Sequence, residues 1–378
     1  MKFIDEYRNV PLALDLLARI RRRASRPWVL MEVCGGQTHS LLRHGIDAQL
    51  DGAVELIHGP GCPVCVTPEV AVDAAQNLAL HPGVVLATFG DMLRVPGGRR
   101  TLHEVRAAGG QVKIVYSPLD AVELARRTPD RQIVFFSVGF ETTAPATALA
   151  VLHADRLGVD NFSLLVAHVC VQPAMEAILQ AGVCRVQGFL AAGHVCTVLG
   201  YDSYVAFVNR HRVPVVVTGF EPVDLLAGIL ECVEQLESQS FRVANCYPRS
   251  VRPEGNRRAR QIVEQVFEPA DGPWRGLGTI SRGVLRLRDE WGRFDAARRF
   301  GTLAAQTVDC ATECRAGDVL AGQIKPPECP AFGTRCTPDA PLGAPMVSSE
   351  GACAAYFQYR RVPVDATIGS SPLEILPS

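Results

Sequence analysis

Short apolar runs alternate with stretches of helical period over residues 28–243. The runs at 29–33, 54–57, 84–89, 112–116, 133–138, 162–167 and 213–218 are four to six residues long and end near Gly-, Cys- or His-bearing turns. Mostly apolar strands separated by helices predict parallel sheets covered on both faces. Helix starts are legible at Thr67-Pro68-Glu69 and Ser117-Pro118, where a capping hydroxyl precedes proline. Val138-Gly139-Phe140-Glu141 with Pro145 returns about 80 residues later as Thr218-Gly219-Phe220-Glu221-Pro222, and His58-Gly59-Pro60-Gly61-Cys62 is similar to Gly193-His194-Val195-Cys196. Two similar α/β domains facing a cleft account for this, although any turn after a strand favours glycine.

After Asn256 the texture changes. A helix to about Phe267 leads into a Gly/Pro/Trp stretch, and residues 307–356 are rich in Cys, Pro and Gly with little periodicity. Such a segment cannot close a large apolar core and needs a staple. The expected division is an N-terminal helical segment (1–27) packing with the C-terminal domain, α/β domains at 28–140 and 141–255, a Cys-rich iron–sulfur domain at 256–361, and a polar tail at 362–378.

With 378 residues, 48% hydrophobic, and 38 basic against 39 acidic residues, the composition is that of a globular protein and argues against a nucleic-acid groove. No secretory leader is visible at the start and no apolar run reaches the ~18–20 residues of a spanning helix, so the expected location is the cytoplasm. In a reducing compartment 13 cysteines call for metal or thiol chemistry before structural disulfides. Cys170, Cys184, Cys232 and Cys246 lie in apolar or helical contexts and read as core fillers.

The unusual residues fall just past predicted strands: Cys34, Cys62, Asp91, Glu141, and His168 with Cys170. That edge of an open α/β sheet is where ligands bind, so one functional cleft is expected. Cys62-Pro63-Val64-Cys65 can form a disulfide or share a metal, and a helix N-terminus favours its thiolates. Cys34 sits on a glycine turn whose backbone can approach a bound group. Cys314, Cys329, Cys336 and Cys353, with Cys310 as a spare, suit an iron–sulfur cluster or a structural zinc; their wide spacing favours [4Fe–4S]. No phosphate loop or G-x-S-x-G elbow is present.

Four motifs together resemble the HypD family of hydrogenase maturation factors: Cys34-Gly35-Gly36-Gln37-Thr38-His39, His58-Gly59-Pro60-Gly61-Cys62-Pro63-Val64-Cys65, Gly139-Phe140-Glu141-Thr142-Thr143-Ala144-Pro145 and Met346-Val347-Ser348-Ser349-Glu350-Gly351-Ala352-Cys353. The resemblance spans residues 3–359. It implies a scaffold that, with the small chaperone HypC, holds iron while the Fe(CN)2CO group of [NiFe]-hydrogenases is assembled. Cyanide would come from HypE, and the hydrogenase large subunit would be served indirectly. Carried over, Cys34 is the iron-binding thiolate, and Cys62 and Cys65 are a redox dithiol beside it and further candidate iron ligands. Cys314, Cys329, Cys336 and Cys353 would hold a [4Fe–4S] cluster. The family often has a second cysteine two residues after the position of Cys314; here that residue is Ala316. His39, His194 and Glu141 are expected around the iron, and Gln37, Thr38 and backbone amides as hydrogen-bond donors to cyanide. A thiol–disulfide oxidoreductase without carried iron, or a zinc-stapled interaction module, would fit parts of the same pattern.

Overall fold

The computed structural model describes residues 5–301 and 313–360; Cys310 and the expected tail lie outside the described residues. The strands in chain order are β1 (Trp28–Glu32), β2 (Val54–His58), β3 (Val84–Thr88), β4 (Val112–Ile114), β5 (Gln132–Gly139), β6 (Phe162–His168), β7 (Gly188–Ala192), β8 (Val215–Thr218), β9 (Val243–Asn245), β10 (Phe267–Trp274) and β11 (Gly278–Leu287). The helices that matter for the site are α1 (Val10–Arg23), α2 (Gly35–Arg43), α3 (Pro63–Val66), α4 (Val171–Gln180), α5 (Gly193–Leu199), α6 (Pro222–Ser238) and α7 (Ala352–Tyr359).

Two parallel sheets form, in the orders β2-β1-β7-β8-β9 and β4-β3-β5-β6, with an antiparallel β10-β11 hairpin beside them. The α/β class and its parallel sheets are therefore as expected, but the consecutive division at 140/141 is corrected. The first sheet joins 28–58 to 188–245, while 84–168 forms the second. The cause is pairing: β1 is bonded on one side to β2 and on the other to β7, and β7 is a short run of small and apolar residues that the sequence pattern does not announce as a strand.

The N-terminal segment also packs elsewhere than expected. Asn9 caps α1 by accepting the Leu12 N–H at 2.9 Å, and the buried stripe Ala13, Leu16, Leu17 and Ile20 joins Leu226, Ile229 and Val233 of α6 in one core. Stripe on stripe is how two amphipathic helices remove apolar surface from water. Residues 256–361 are likewise not one unit. Phe267, Leu285 and Leu287 of the hairpin share a core with Phe162 and Leu164 of the second sheet, and Trp274 shares one with Phe140 and Met31. Among the described residues, Cys314, Cys329, Cys336 and Cys353 gather within 313–360. Among the described residues no helix is long and apolar enough to cross a membrane.

Candidate metal and thiol site

In the first sheet strand order reverses between β1 and β7, and in the second between β3 and β5. Chains leaving adjacent strands at such a point run to opposite sides and open a crevice at the carboxyl edge. Cys34 follows β1 and His194 opens the helix after β7; the Cys34 thiol lies 3.6 Å from His194 Nδ1. Phe220, after β8, packs at a tilt of 41° against that imidazole with ring centroids 5.5 Å apart. Burial pushes the Cys34 thiol well above its usual pKa and lowers that of His194.

Behind the thiol stands a buried carboxylate that sequence reasoning missed. Glu32 ends β1 and has no exposed surface. It accepts the Cys34 N–H at 2.9 Å, accepts the Thr38 hydroxyl, and meets His58 Nδ1 at 2.7 Å. His58 Nε2 continues to the Tyr356 hydroxyl at 2.9 Å on α7. The signal was present as a charged residue inside the apolar run Val29-Leu30-Met31-Glu32-Val33, since a buried charge requires partners. Thr38 and Gln37 are correspondingly not free donors. Thr38 binds Glu32, and the Gln37 amide donates to Thr218 Oγ1 at 2.6 Å and to the Ala191 carbonyl at 3.3 Å. The cyanide-donor expectation for these two side chains is corrected; Gln37 Oε1 remains buried with no hydrogen-bond partner.

The C-x-x-C turn packs against the Cys34 turn. Gly35 N–H donates to the Gly61 carbonyl at 3.0 Å and Gly59 N–H to the Glu32 carbonyl at 2.8 Å. Cys62 and Cys65 are joined as a disulfide at the start of α3, and both are buried. In this state neither offers a thiolate to a metal. The segment Ala344–Val347 lies in contact with α3, and the Glu350 carbonyl covers Gly35 so closely that a Cβ there would stand 2.1 Å from it.

Beyond that contact, Cys314, Cys329, Cys336 and Cys353 line one small pocket, walled by Ala316, Val319, Phe332, Leu342 and Met346. Leu342 N–H points at Cys336 Sγ at 3.4 Å. Burial raises the Cys353 thiol, and the other three cysteines raise it further. Among the described residues no group of three or more His, Cys, Asp or Glu is arranged to hold a metal ion. The four thiols instead surround a space. Four thiols lining one pocket are a donor set that fits an iron–sulfur cluster and also a structural zinc.

The remaining expected residues are elsewhere. His39 faces away to accept or donate at Tyr359 OH, 2.8 Å distant. His168 is buried between Ser137 Oγ at 2.9 Å and Thr143 Oγ1 at 3.2 Å, a structural role. Glu141 lies with Cys170 on a separate cavity, its Oε1 accepting the Val171 N–H of α4 at 2.9 Å and its Oε2 buried without a partner. The single cleft expected at the strand ends is thus two places.

Burial raises Glu141 to about 7 from 4.5 and lowers His168 to about 4 from 6.5. The folded state holds the Glu141 proton where the unfolded chain has lost it, so that stabilisation is present below pH 4.5 and is lost as pH rises to 7. The His168 contribution runs the other way and is lost as pH falls from 6.5 through 4. Glu141→Gln should therefore abolish a loss of about 3 kcal/mol between these limits and leave the opposite slope of His168, as read from urea midpoints across that range. Equal slopes in both proteins would contradict it.

Two switch-point crevices, one of them lined by the Cys34 thiol and the disulfide helix and lying beside a four-cysteine pocket, define a thiol-rich α/β protein. The model of the HypD family, described as the hydrogenase formation hypA family, matches residues 12–360. The chain is 46% identical over 371 residues to the hydrogenase maturation factor HypD of Azotobacter vinelandii, covering 96% of this chain and 97% of that protein. It is 43% identical over 369 residues to that of Escherichia coli (strain K12), covering 96% and 99%. The chain belongs to the HypD family.

Proposed function

We propose that this protein is a hydrogenase maturation scaffold which, in complex with HypC, holds an iron ion on Cys34 while cyanide delivered from HypE and carbon monoxide are added to it. The observation that carries the reading is adjacency: the Cys34 turn, the disulfide helix α3 and the segment bearing the four-cysteine cavity touch one another. Iron is the cargo here. Cys34 is held as a neutral thiol by burial, and a ferrous ion supplies the positive charge that burial withholds, so loading releases the thiol proton. A soft thiolate suits low-spin iron carrying strong-field ligands. His194 and Phe220 wall the position, and Glu32 fixes the Cys34 backbone from behind.

Cys314, Cys329, Cys336 and Cys353 would hold a [4Fe–4S] cluster, which when bound supplies single electrons. Cys62 and Cys65 complete the redox part. Opening their disulfide takes two electrons and two protons and gives two thiols; re-closing it returns both to the assembly reaction. The disulfide itself favours a second reading, a cluster-dependent thiol–disulfide oxidoreductase with no carried iron.

Anaerobic purification with HypC, metal analysis and infrared spectroscopy of the cyanide and carbonyl stretches separate the two. About five irons per complex, four of them in a cluster, with cyanide and carbonyl bands, are expected. About four irons without bands would favour the oxidoreductase, and zinc in place of iron would overturn the cluster.

A further inference from the structure

Tyr247 follows β9, and its ring is wedged into a slot that the chain leaves open at two glycines. A Cβ on Gly193, which opens α5 one residue before His194, would stand 2.6 Å from Tyr247 Cδ1. One on Gly219, just after β8, would stand 2.7 Å from Cδ2 and Cε2 on the ring's other edge. Neither glycine is in the left-handed region, so the missing side chains serve the close approach of the ring. Tyr247 meets Phe220 edge to face, with centroids 6.3 Å apart at 86°. Phe220 in turn packs on His194 at 5.5 Å, and His194 Nδ1 lies 3.6 Å from the Cys34 thiol. Behind the wedge, the Arg249 guanidinium lies over Tyr247, 4.4 Å from its ring centroid, and over Tyr7 at 3.5 Å. Its two Nη atoms donate to the two carboxylate oxygens of buried Asp224 at 2.7 and 2.6 Å. Asp224 also accepts the Glu221 N–H at 3.3 Å, at the start of α6. A bidentate pair of this kind fixes a planar guanidinium in direction as well as distance.

We propose that Tyr247, locked by the Arg249–Asp224 pair, is a positioning residue that holds Phe220 and His194 over Cys34 and keeps its thiol enclosed. The inference rests on the reading of Cys34 as the iron-binding thiol and extends it to residues that act on the thiol through others. A buried ion pair costs desolvation that apolar packing avoids, so the pair contributes direction rather than stability. The turns after β7, β8 and β9 would otherwise end independently; the ring ties the three together at the edge where Cys34 stands. With the ring removed, Phe220 loses its support and can turn into the slot between Gly193 and Gly219, taking away the face on which His194 packs.

The test is alkylation of the iron-free full chain by iodoacetamide in native buffer, followed peptide by peptide by mass spectrometry. Cys170, buried in the core of the second sheet, is the monitor of general loosening. Tyr247→Ala is expected to alkylate at Cys34 at least about tenfold faster than wild type with Cys170 unchanged, as a local opening requires. Tyr247→Phe keeps the ring and should alkylate as the wild type does. The double variant Arg249→Met with Asp224→Asn, which removes both charges together so that neither stays buried and unpaired, should fall between. In complex with HypC, the cyanide and carbonyl bands of Tyr247→Ala should shift from their wild-type positions, and those of Tyr247→Phe should not. Tyr247→Leu carries the same expectations if the alanine variant does not fold. Wild-type rates at Cys34 or unshifted bands in a folded variant lacking the ring, or equal acceleration at Cys34 and Cys170, would overturn the positioning role. Absence of iron from Cys34 in the wild-type complex would overturn the iron reading instead, and the alkylation rates then decide the positioning role alone.

Discussion

Cys34→Ala is expected to lose the carried iron and its cyanide and carbonyl bands while keeping the cluster chromophore, and Cys336→Ala to lose the chromophore. The division follows from the geometry. Cys34 is the free thiol of its crevice, facing His194 at 3.6 Å, while Cys62 and Cys65 beside it are joined as a disulfide, so its removal deletes a ligand from one site only. Cys336 is buried in the cavity wall with the Leu342 N–H directed at its sulfur, and a cluster deprived of one of four thiolates loses both a bond and the enclosure of its face. Iron content should fall from about five to about four in the first variant and to about one or none in the second. Identical losses would mean that the cysteines serve one centre. Because α3 lies between the two sites, a third variant, Cys62→Ser with Cys65→Ser, should retain the cluster and lose only the redox exchange, measured as thiols released on reduction.

How much of this was legible in the chain depended on the physical origin of each feature. The mostly apolar runs at 84–89 and 133–138 announced β3 and β5 because strands buried on both faces hold few polar residues, here Thr88 and Ser137. The cysteine motifs were equally plain, since thiols so closely spaced, as in Cys62-Pro63-Val64-Cys65, point to thiol or metal chemistry. Sheet membership was not legible: pairing of β1 with β7 joins residues more than 150 apart, and nothing local encodes it. Nor was the hairpin, whose Pro269, Gly272 and Pro273 read as loop but are accommodated at an irregular register between Ala270 and Gly272. Glu32 escaped because its role comes from partners: Tyr356 reaches the Glu32 network through His58.

The second large effect concerns a glycine that is not in the left-handed region and so owes nothing to conformational freedom. A Cβ on Gly61 would stand 2.4 Å from both Cys34 N and Cys34 Cα and 2.6 Å from Cys34 C. All three atoms are backbone, fixed by the Gly35 N–H bond to the Gly61 carbonyl and by the Cys34 N–H bond to Glu32. No rotamer change relieves such a clash; the two turns must part. Gly61→Ala should therefore destabilise the fold by about 3 kcal/mol or more, at or above the upper end of ordinary overpacking, and separate Cys34 from the C-x-x-C turn. Gly182→Ala is the matched control, because a Cβ there meets nothing within 4 Å, and its urea midpoint should stay near that of the wild type. The thiol test is sharper than the stability test. If the turns are one unit, Gly61→Ala should make Cys34, buried in the native chain, alkylate faster in native buffer, whereas Gly182→Ala should not. A Gly61→Ala chain with wild-type midpoint and wild-type alkylation would show that the two turns are not held together.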